Sequence, residues 1–522
     1  MIQNGQQPIF ILKEGTERSH GRVAQSNNIA AAKAVADAVR STLGPKGMDK
    51  MLVDEGGDVI ITNDGATILG EMDIDHPAAK MIIEVAKTQE QECYDGTTSA
   101  VVLSGELLKK SEELITQNIH PTIICSAFRD GGQFIAGKLE EYTQDSKDLL
   151  LNIATTSLTG KSSASIKEHL GNICVDAVEA LSQDGAVDLT QINVVKAVGG
   201  DAHDSELISG IIVDKERAHS AMPASVSNGK VLLIDFPLEV KSTEMDANIQ
   251  ITDPNQITAF LEQEEGYIRE LVKAIVDSGA TIVVCQKGID DLAKHYLSKA
   301  GVFALEKVKR SDMEALSRAT GAGIINNLED VEDALGSCET LTEKKVGELP
   351  MSFFSTPNSS AVTLLLRGGT APFVEEIERA FDDAVGVVAV AYEDGKVLTG
   401  GGSIYASLSR DLANHALTIG GRDRMALEAF SQALEVIPRT LAENGGLDPV
   451  DEMMALRKAH AEGNHHHGVN VFTGGVMHMG EAGVYEPKRV VAQALKSAVE
   501  TATMILRIDD VISSRKAGPR QG

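Results

Sequence analysis

The sequence has no tryptophan and few other aromatic residues. Of its 522 residues, 7 are Tyr and 12 are Phe. Alanine and aliphatic side chains must therefore build the core, which favours helices packed through small residues. Cysteine is also scarce: the five thiols are widely spaced and form no CxxC pair, so neither a disulfide framework nor a zinc site is indicated. An odd, scattered set predicts buried, reduced thiols and a cytoplasmic protein.

Positive charge is in deficit, with 48 Lys and Arg against 76 Asp and Glu and a net charge of -28. Such a surface repels phosphate backbones, so we expect no nucleic-acid partner. Residues 1–7 lack the basic start and apolar core of a signal peptide. The longest apolar runs, such as 385–392, are far shorter than the roughly 20 residues that span a bilayer. We therefore expect no membrane partner.

The common nucleotide-binding loops are missing as well. Gly160-Lys161-Ser162 resembles the end of a P-loop, but Thr155 stands where the first glycine is required. Gly321-Ala322-Gly323 is followed by Asn326 instead of the last glycine of a dinucleotide-binding loop. Without these loops or a kinase signature set, a small-molecule kinase is excluded.

Apolar periodicity divides the chain into helical ends and an α/β centre. Helices are predicted near 29–39, where Gly44-Pro45 ends the run, and near 78–88, 97–114 and 491–506. Strands are predicted near 58–62, 231–235, 281–285 and 510–512, and a helix that begins at Asp253-Pro254 ends at Gly279. Length suggests about three domains, with the middle of the chain inserted between two ends that share one domain.

Two Gly-rich segments in the first third suit a phosphate group. Leu43-Gly44-Pro45-Lys46-Gly47-Met48-Asp49 follows a helix, and its glycines would let the backbone approach an anion; the alternative is a helix C-cap and a loop. Asn63-Asp64-Gly65-Ala66-Thr67 follows a predicted strand, and its alternative is a hairpin turn.

Two further segments add a helix start and a glycine run. Asp95-Gly96-Thr97-Thr98-Ser99 begins a helix, whose N-terminus attracts anions, and Asp95 could hold Mg²⁺; ordinary capping by Asp95 or Thr97 is the alternative. Gly400-Gly401-Gly402 follows a predicted strand and would admit a flat ligand, with a flexible linker as the alternative.

In this order and spacing, the segments resemble those of the group II chaperonins of the archaeal thermosome type, which are related to the eukaryotic cytosolic chaperonin. The resemblance covers about Gly15 to Ser514. The segments that carry it are 41–50, 62–69, 95–98, Glu378-Arg379 with Asp383-Ala384, 400–402, Val484-Tyr485-Glu486-Pro487 and 506–512.

The resemblance implies the multi-domain α/β and α chaperonin fold. A helical equatorial ATPase domain would comprise 1–145 and 403–522, and a discontinuous intermediate domain would comprise 146–213 and 367–402. An α/β apical domain, which binds substrate, would comprise 214–366. A helical protrusion at about 241–265 would act as a built-in lid.

The implied function is that of an ATP-dependent molecular chaperone with ATP and Mg²⁺ as cofactors. Its partners would be non-native polypeptide clients and other chaperonin subunits, assembled in two stacked rings that enclose and fold the clients. A holding scaffold with little ATP turnover is the alternative. The presence of Asp64, Asp95, Lys161 and Asp383 argues against that alternative.

The resemblance also implies a role for individual residues. Asp64 and Asp383 would be catalytic, Asp64 near the γ-phosphate and Asp383 orienting or deprotonating the attacking water; without the resemblance, Asp383 would be a solvated acid on a helix face. Asp95 would bind the metal, Lys161 would sense the γ-phosphate and Glu486 would bind the ribose. The other nucleotide-binding residues would be Leu43, Gly44, Pro45, Gly47, Gly65, Gly96, Thr97, Thr98, Ser99, Gly401 and Gly402.

Two positions depart from the family pattern. Tyr94 stands where the family usually has glycine, and is expected to crowd the phosphate segment; Thr399 stands where it usually has proline. Asn464-His465-His466-His467 is interpreted as a polar loop, because three successive histidines cannot face one ion from a regular element.

Overall fold

The computed structural model describes residues 16–53, 56–57, 59–160, 166–240, 254–328, 331, 333–356 and 361–514. These residues form sixteen α-helices: α1 Arg22–Arg40, α2 Gly65–Glu71, α3 Pro77–Cys93, α4 Thr97–Thr116, α5 Pro121–Leu139, α6 Leu150–Leu158, α7 Lys167–Leu181, α8 Pro254–Asp277, α9 Asp291–Lys299, α10 Arg310–Thr320, α11 Ala371–Asp394, α12 Ser403–Ala416, α13 Gly421–Leu434, α14 Val436–Asn444, α15 Pro449–Ala461 and α16 Lys488–Leu506.

The same part of the chain contains twenty-one short strands. They are β1 Thr16–His20, β2 Lys50–Val53, β3 Val59–Thr62, β4 Gln144–Asp145, β5 Ser182–Gln183, β6 Ala186–Val187, β7 Ile192–Val198, β8 Glu206–Ser209, β9 Ile211–Val213, β10 Ser225–Ile234, β11 Ile282–Cys285, β12 Phe303–Leu305, β13 Ile324–Ile325, β14 Gly336–Val346, β15 Leu349–Ser355, β16 Val362–Gly368, β17 Lys396–Thr399, β18 His467–Val469, β19 Val476–His478, β20 Tyr485–Pro487 and β21 Asp510–Ser514.

The chain forms two compact units, and the first comprises residues up to Lys167 and from Asp382 onward. Its core is helical, with α1, α3, α4, α5, α13 and α16 packed together. Gly105 of α4 lies so close to α1 that a Cβ atom there would come within 2.4 Å of the Ala36 Cβ. The packing through small residues that the composition predicts is therefore present.

The two ends of the described chain meet in this first unit. Strands β1 and β21 pair antiparallel, with Thr16 opposite Ser514 and His20 opposite Asp510. Arg18 adds a salt bridge to Asp510 at 2.6 Å, though exposed pairs of this kind contribute little to stability. The division into three domains remains a prediction.

The second unit, from Glu168 to Phe381, is built on sheets. Its largest sheet has the strand order β12-β11-β10-β14-β15-β9, with β13 also paired to β10; β10, β11 and β12 run parallel. Successive β10 residues face opposite sides, so Leu233 packs with α10 residues and Leu232 with α8 and α9 residues. The α/β layer predicted for the centre is confirmed.

Helix α1 ends at Arg40, within one residue of the predicted end, and Gly44-Pro45 lies in the loop that follows. The Asn444 side-chain amide donates to the carbonyl oxygens of Arg40 and Leu43 at 3.0 and 2.8 Å. One sequence-based interpretation of a loop is wrong. The segment 63–65 is not a hairpin turn. Asp64 instead caps α2, its Oδ2 accepting the Thr67 N–H at 2.6 Å. No helix of the described residues is long and apolar enough to cross a bilayer.

Candidate functional site

A cavity of about 590 Å³ opens in the first unit, within the size range of small-molecule sites. It brings together residues that lie more than 400 positions apart in the chain. The sequence-predicted residues that line it are Leu43, Gly44, Pro45, Asp64, Gly65, Asp95, Gly96, Thr97, Thr98, Ser99, Asp383, Gly401, Gly402 and Glu486.

Two predicted residues are not part of this lining. Gly47 lies behind it, where its N–H donates to the Gly44 carbonyl at 2.9 Å and a Cβ atom would come within 2.1 Å of the Thr42 oxygen. It therefore closes the turn that carries Gly44. Lys161 lies outside the described residues.

Three helices, α2, α4 and α12, begin at the cavity wall. Gly96 and Gly402 are the N-cap residues of α4 and α12, and neither helix has a side-chain cap. First-turn N–H groups without a side-chain acceptor, together with the helix dipole, attract an anion. The wall therefore supplies backbone donors for phosphate oxygens.

The alternatives of a side-chain cap at Asp95 or Thr97 and of a flexible linker at 400–402 are both wrong. Asp95 and Thr97 do not cap α4; the Asp95 Oδ1 instead accepts the Gly96 N–H at 2.6 Å. The triple glycine is not a flexible linker, because the Gly400 N–H donates to the Val484 carbonyl at 3.0 Å and Gly402 begins α12.

The side chain of Gln89 supports the segment that carries Asp95 through hydrogen bonds. This fully buried side chain donates to the Asp95 carbonyl at 2.8 Å and to the Val490 carbonyl at 3.1 Å. Sequence reasoning missed Gln89. The available signal was a polar residue at helical spacing between the apolar Ala86 and Cys93 of α3.

The lining is strongly acidic. It contains Asp64, Glu90, Asp95, Asp383 and Glu486, and its one cationic side chain among the described residues is Lys167. Such a wall would repel a bare phosphate chain unless a cation accompanied it. Sequence reasoning also missed Lys167, which donates to the Thr159 hydroxyl at 3.4 Å.

Burial dominates the pKa of Glu486, and the acidic wall adds to its effect. Loss of water contact, and then the charge of Asp95, raise the pKa of the Glu486 carboxyl to about 8. The pKa of the neighbouring, buried Tyr405 is raised well above its usual range by burial, by Glu486 and by Asp95. The Glu486 carboxyl is therefore mostly neutral at pH 7 and able to donate a hydrogen bond.

The residues present fit Mg²⁺ better than a transition metal. The described residues contain no group of three or more His, Cys, Asp or Glu side chains arranged to hold an ion. Mg²⁺ usually takes only one or two carboxylates and completes its coordination with water and substrate phosphates. Asp95, at the start of α4 in an acidic wall, is suited to that arrangement.

The histidine segment is ordered by hydrogen bonds. His467 begins β18, which pairs with β19, so the polar-loop interpretation is wrong at this residue. The buried His460 ring makes two hydrogen bonds. Its Nδ1 contacts the Ser407 hydroxyl at 3.0 Å, and its Nε2 contacts the His467 carbonyl oxygen at 2.8 Å. Burial, with Arg410, His465 and His467 nearby, lowers the pKa of His460 to about 4.

We expect this histidine to make the first unit acid-sensitive. The unfolded chain binds a proton at His460 below about pH 6.5 and the folded chain only below about 4, so stability is lost as pH falls through that window. The loss is on the order of 3 kcal/mol by pH 4. Urea unfolding of His460→Gln at pH 7 and pH 5 should show a smaller pH dependence than the parent chain; His120→Gln, at an exposed helix cap, is the control. Equal pH dependence in all three would contradict the assignment.

Comparison with known proteins identifies the family of the chain. The model of the TCP-1/cpn60 chaperonin family matches residues 35–516. Thermosome subunit beta of Methanothermobacter thermautotrophicus is 52% identical over 521 residues, which cover 99% of this chain and 97% of the relative. Thermosome subunit alpha of Thermoplasma acidophilum is 51% identical, covering 100% and 97%. The chain therefore belongs to the TCP-1/cpn60 chaperonin family and is a group II chaperonin of the thermosome type.

Proposed function

We propose that this chain is an ATP-hydrolysing subunit of a chaperonin that assembles in two stacked rings and folds non-native polypeptides. The observation that carries the proposal is the cavity, which gathers three helix N-termini and five acidic side chains in one wall. Backbone donors for phosphates beside carboxylates for a hard cation suit a Mg²⁺-nucleoside triphosphate. A holding scaffold would not need this combination.

The phosphate chain would lie on the backbone of three segments: Leu43 to Pro45, Gly96 to Ser99, and Gly401 to Gly402. Asp95 would hold the Mg²⁺, which neutralises phosphate charge when bound. The ribose would meet Glu486, whose neutral carboxyl can donate to a hydroxyl oxygen. These contacts bind and orient the substrate before any bond is broken.

Hydrolysis would need a base for the attacking water. Asp383, on α11, and Asp64, at the start of α2, both line the cavity. Asp64 is fixed by the Thr67 N–H at 2.6 Å and faces the Thr97 hydroxyl at 3.5 Å, which suits a carboxylate that orients water. We assign the proton-accepting role to Asp383.

The three-domain organisation belongs to the same proposal. The equatorial, intermediate and apical divisions of the sequence analysis would assign most of the cavity lining to the equatorial domain, and Asp383, Gly401 and Gly402 to the intermediate domain. The sheet-based second unit would contain the apical, client-binding part.

Removal of the metal tests the function directly. The purified protein should release phosphate from ATP in Mg²⁺ buffer, refold a denatured client, and lose both activities in EDTA. Asp95→Asn should weaken Mg²⁺-dependent turnover about 100-fold, on the scale of lost electrostatic stabilisation. Asp75→Asn, an exposed acid outside the cavity, is the matched control. Binding of the denatured client with neither phosphate release nor refolding would favour the holding scaffold, and no ATP binding would contradict the proposal.

A further inference from the structure

Tyr94 and Gly386 form a contact that joins two parts of the cavity wall within the first unit. Tyr94 immediately precedes Asp95, and Gly386 lies one helical turn after Asp383 on α11. A Cβ atom at Gly386 would come within 2.2 Å of the Tyr94 Cγ and 2.5 Å of its Cδ1. The tyrosine ring therefore rests directly on the helix backbone, in space that only glycine leaves open.

Both residues are locally unfavourable where they stand. Tyr94 ends α3 in the left-handed conformation, at φ 57° and ψ 4°, which a side chain with a Cβ atom rarely adopts. Gly386 lies in the interior of a 24-residue helix, where glycine is a poor helix former. One contact accounts for both residues. The Tyr94 ring occupies space that a Cβ atom at residue 386 would fill, and the left-handed turn at Tyr94 directs the ring toward α11.

The position of this contact links it to the chemistry. Residues three apart on a helix share a face, so Gly386 and Asp383 lie on the same side of α11. Tyr94 and Asp383 both line the cavity. The contact of the ring with α11 therefore sets the distance between Asp383 and the segment that carries Asp95.

We propose that Tyr94 is a positioning residue for ATP hydrolysis, which acts through Gly386 to hold Asp383 at its working distance from the Asp95 segment. This inference rests on the proposed ATPase function. It explains why an aromatic residue is accepted beside a phosphate-binding segment, where it was expected only to crowd the site. The ring makes the contact, and the hydroxyl is not required.

The test changes the side-chain volume at the two contacting residues, singly and together, to separate positioning from folding. In Tyr94→Gly the backbone keeps its left-handed turn while the ring is lost, and we expect kcat to fall about tenfold or more with KM for ATP within about twofold. Gly386→Ala should lower kcat similarly, because its Cβ collides with the ring. The double variant has neither the ring nor the collision, so the two losses should not multiply, and its kcat should match that of Tyr94→Gly within about twofold. Tyr94→Phe should retain kcat within about twofold.

Two controls make every outcome decisive. Asn118→Gly changes another left-handed non-glycine residue of the same unit, away from the cavity, and should leave kcat unchanged. Melting temperature and ADP binding, measured for all variants, report folding. If the parent chain hydrolyses ATP and folded Tyr94→Gly does so equally fast, the inference is wrong while the proposed function stands. A double variant whose loss of kcat is the product of the two single losses would also overturn it, because only independent effects multiply. If the parent chain does not hydrolyse ATP, the proposed function itself fails.

Discussion

Replacement of Asp383 by alanine is expected to slow ATP hydrolysis about 100-fold or more, the scale of losing a general base. Binding of Mg²⁺-ATP should persist, because the backbone donors at the starts of α4 and α12 and the Glu486 carboxyl are unchanged. The loss should therefore be confined to kcat. Asp383 is half-buried in the cavity wall, so its truncation to alanine leaves no large apolar void and should cost little stability.

The experiment needs single-turnover hydrolysis and an independent binding measurement, such as calorimetry with a non-hydrolysable ATP analogue. The adjacent residue offers a matched control: Asp382 is exposed, lies on the same helix and is not part of the lining, so Asp382→Ala should hydrolyse ATP at the parent rate. Unimpaired turnover in Asp383→Ala would remove Asp383 from the catalytic role. An equal loss in Asp382→Ala would point to damage of α11 as a whole.

The sequence predicted elements whose causes are local. The helix at 97–116 and the strands at 231–234 and 282–285 follow from apolar periodicity, which needs no knowledge of distant residues. Family motifs predicted which segments meet, and fourteen of the named residues line one cavity. Motif order carries this information only through the family resemblance, because composition and periodicity do not indicate which segments meet.

What the sequence did not predict depends on contacts made only in the folded chain. Asn444 donates to the carbonyl oxygen of Arg40, the last residue of α1, and nothing near Arg40 in the sequence indicates that contact. Gln89 supports the Asp95 segment through main-chain carbonyls, which carry no sequence signature. The left-handed turn at Tyr94 is explained by the contact of its ring with Gly386, almost 300 residues later in the chain.

The segment 241–265, which the resemblance assigns to a helical protrusion, is the second region for which a large effect is expected. Its residues 241–253 lie outside the described part of the chain, and the described part of α8 continues to Asp277. The buried side chains that fix α8 to the second unit are Ile268, Val272 and Ile275, all beyond the protrusion. Residue 265 contributes an exposed ion pair with Arg269 and a hydrogen bond to Tyr296, whose loss costs little. The contacts that fix α8 beyond residue 265 should therefore persist when 241–265 is removed.

Replacing 241–265 with a short Gly/Ser linker should leave ring assembly and ATP hydrolysis largely intact, because the cavity lies in the other unit. Chamber closure and productive folding should be lost, since the resemblance assigns the lid to this segment. Protease protection on adding ATP with a phosphate mimic, beside the refolding yield of a denatured client, measures both. Glu265→Gln, which removes only the ion pair, is the matched control and should behave as the parent chain. A truncated ring that still becomes protected and still refolds clients unaided would show that the segment is not the lid.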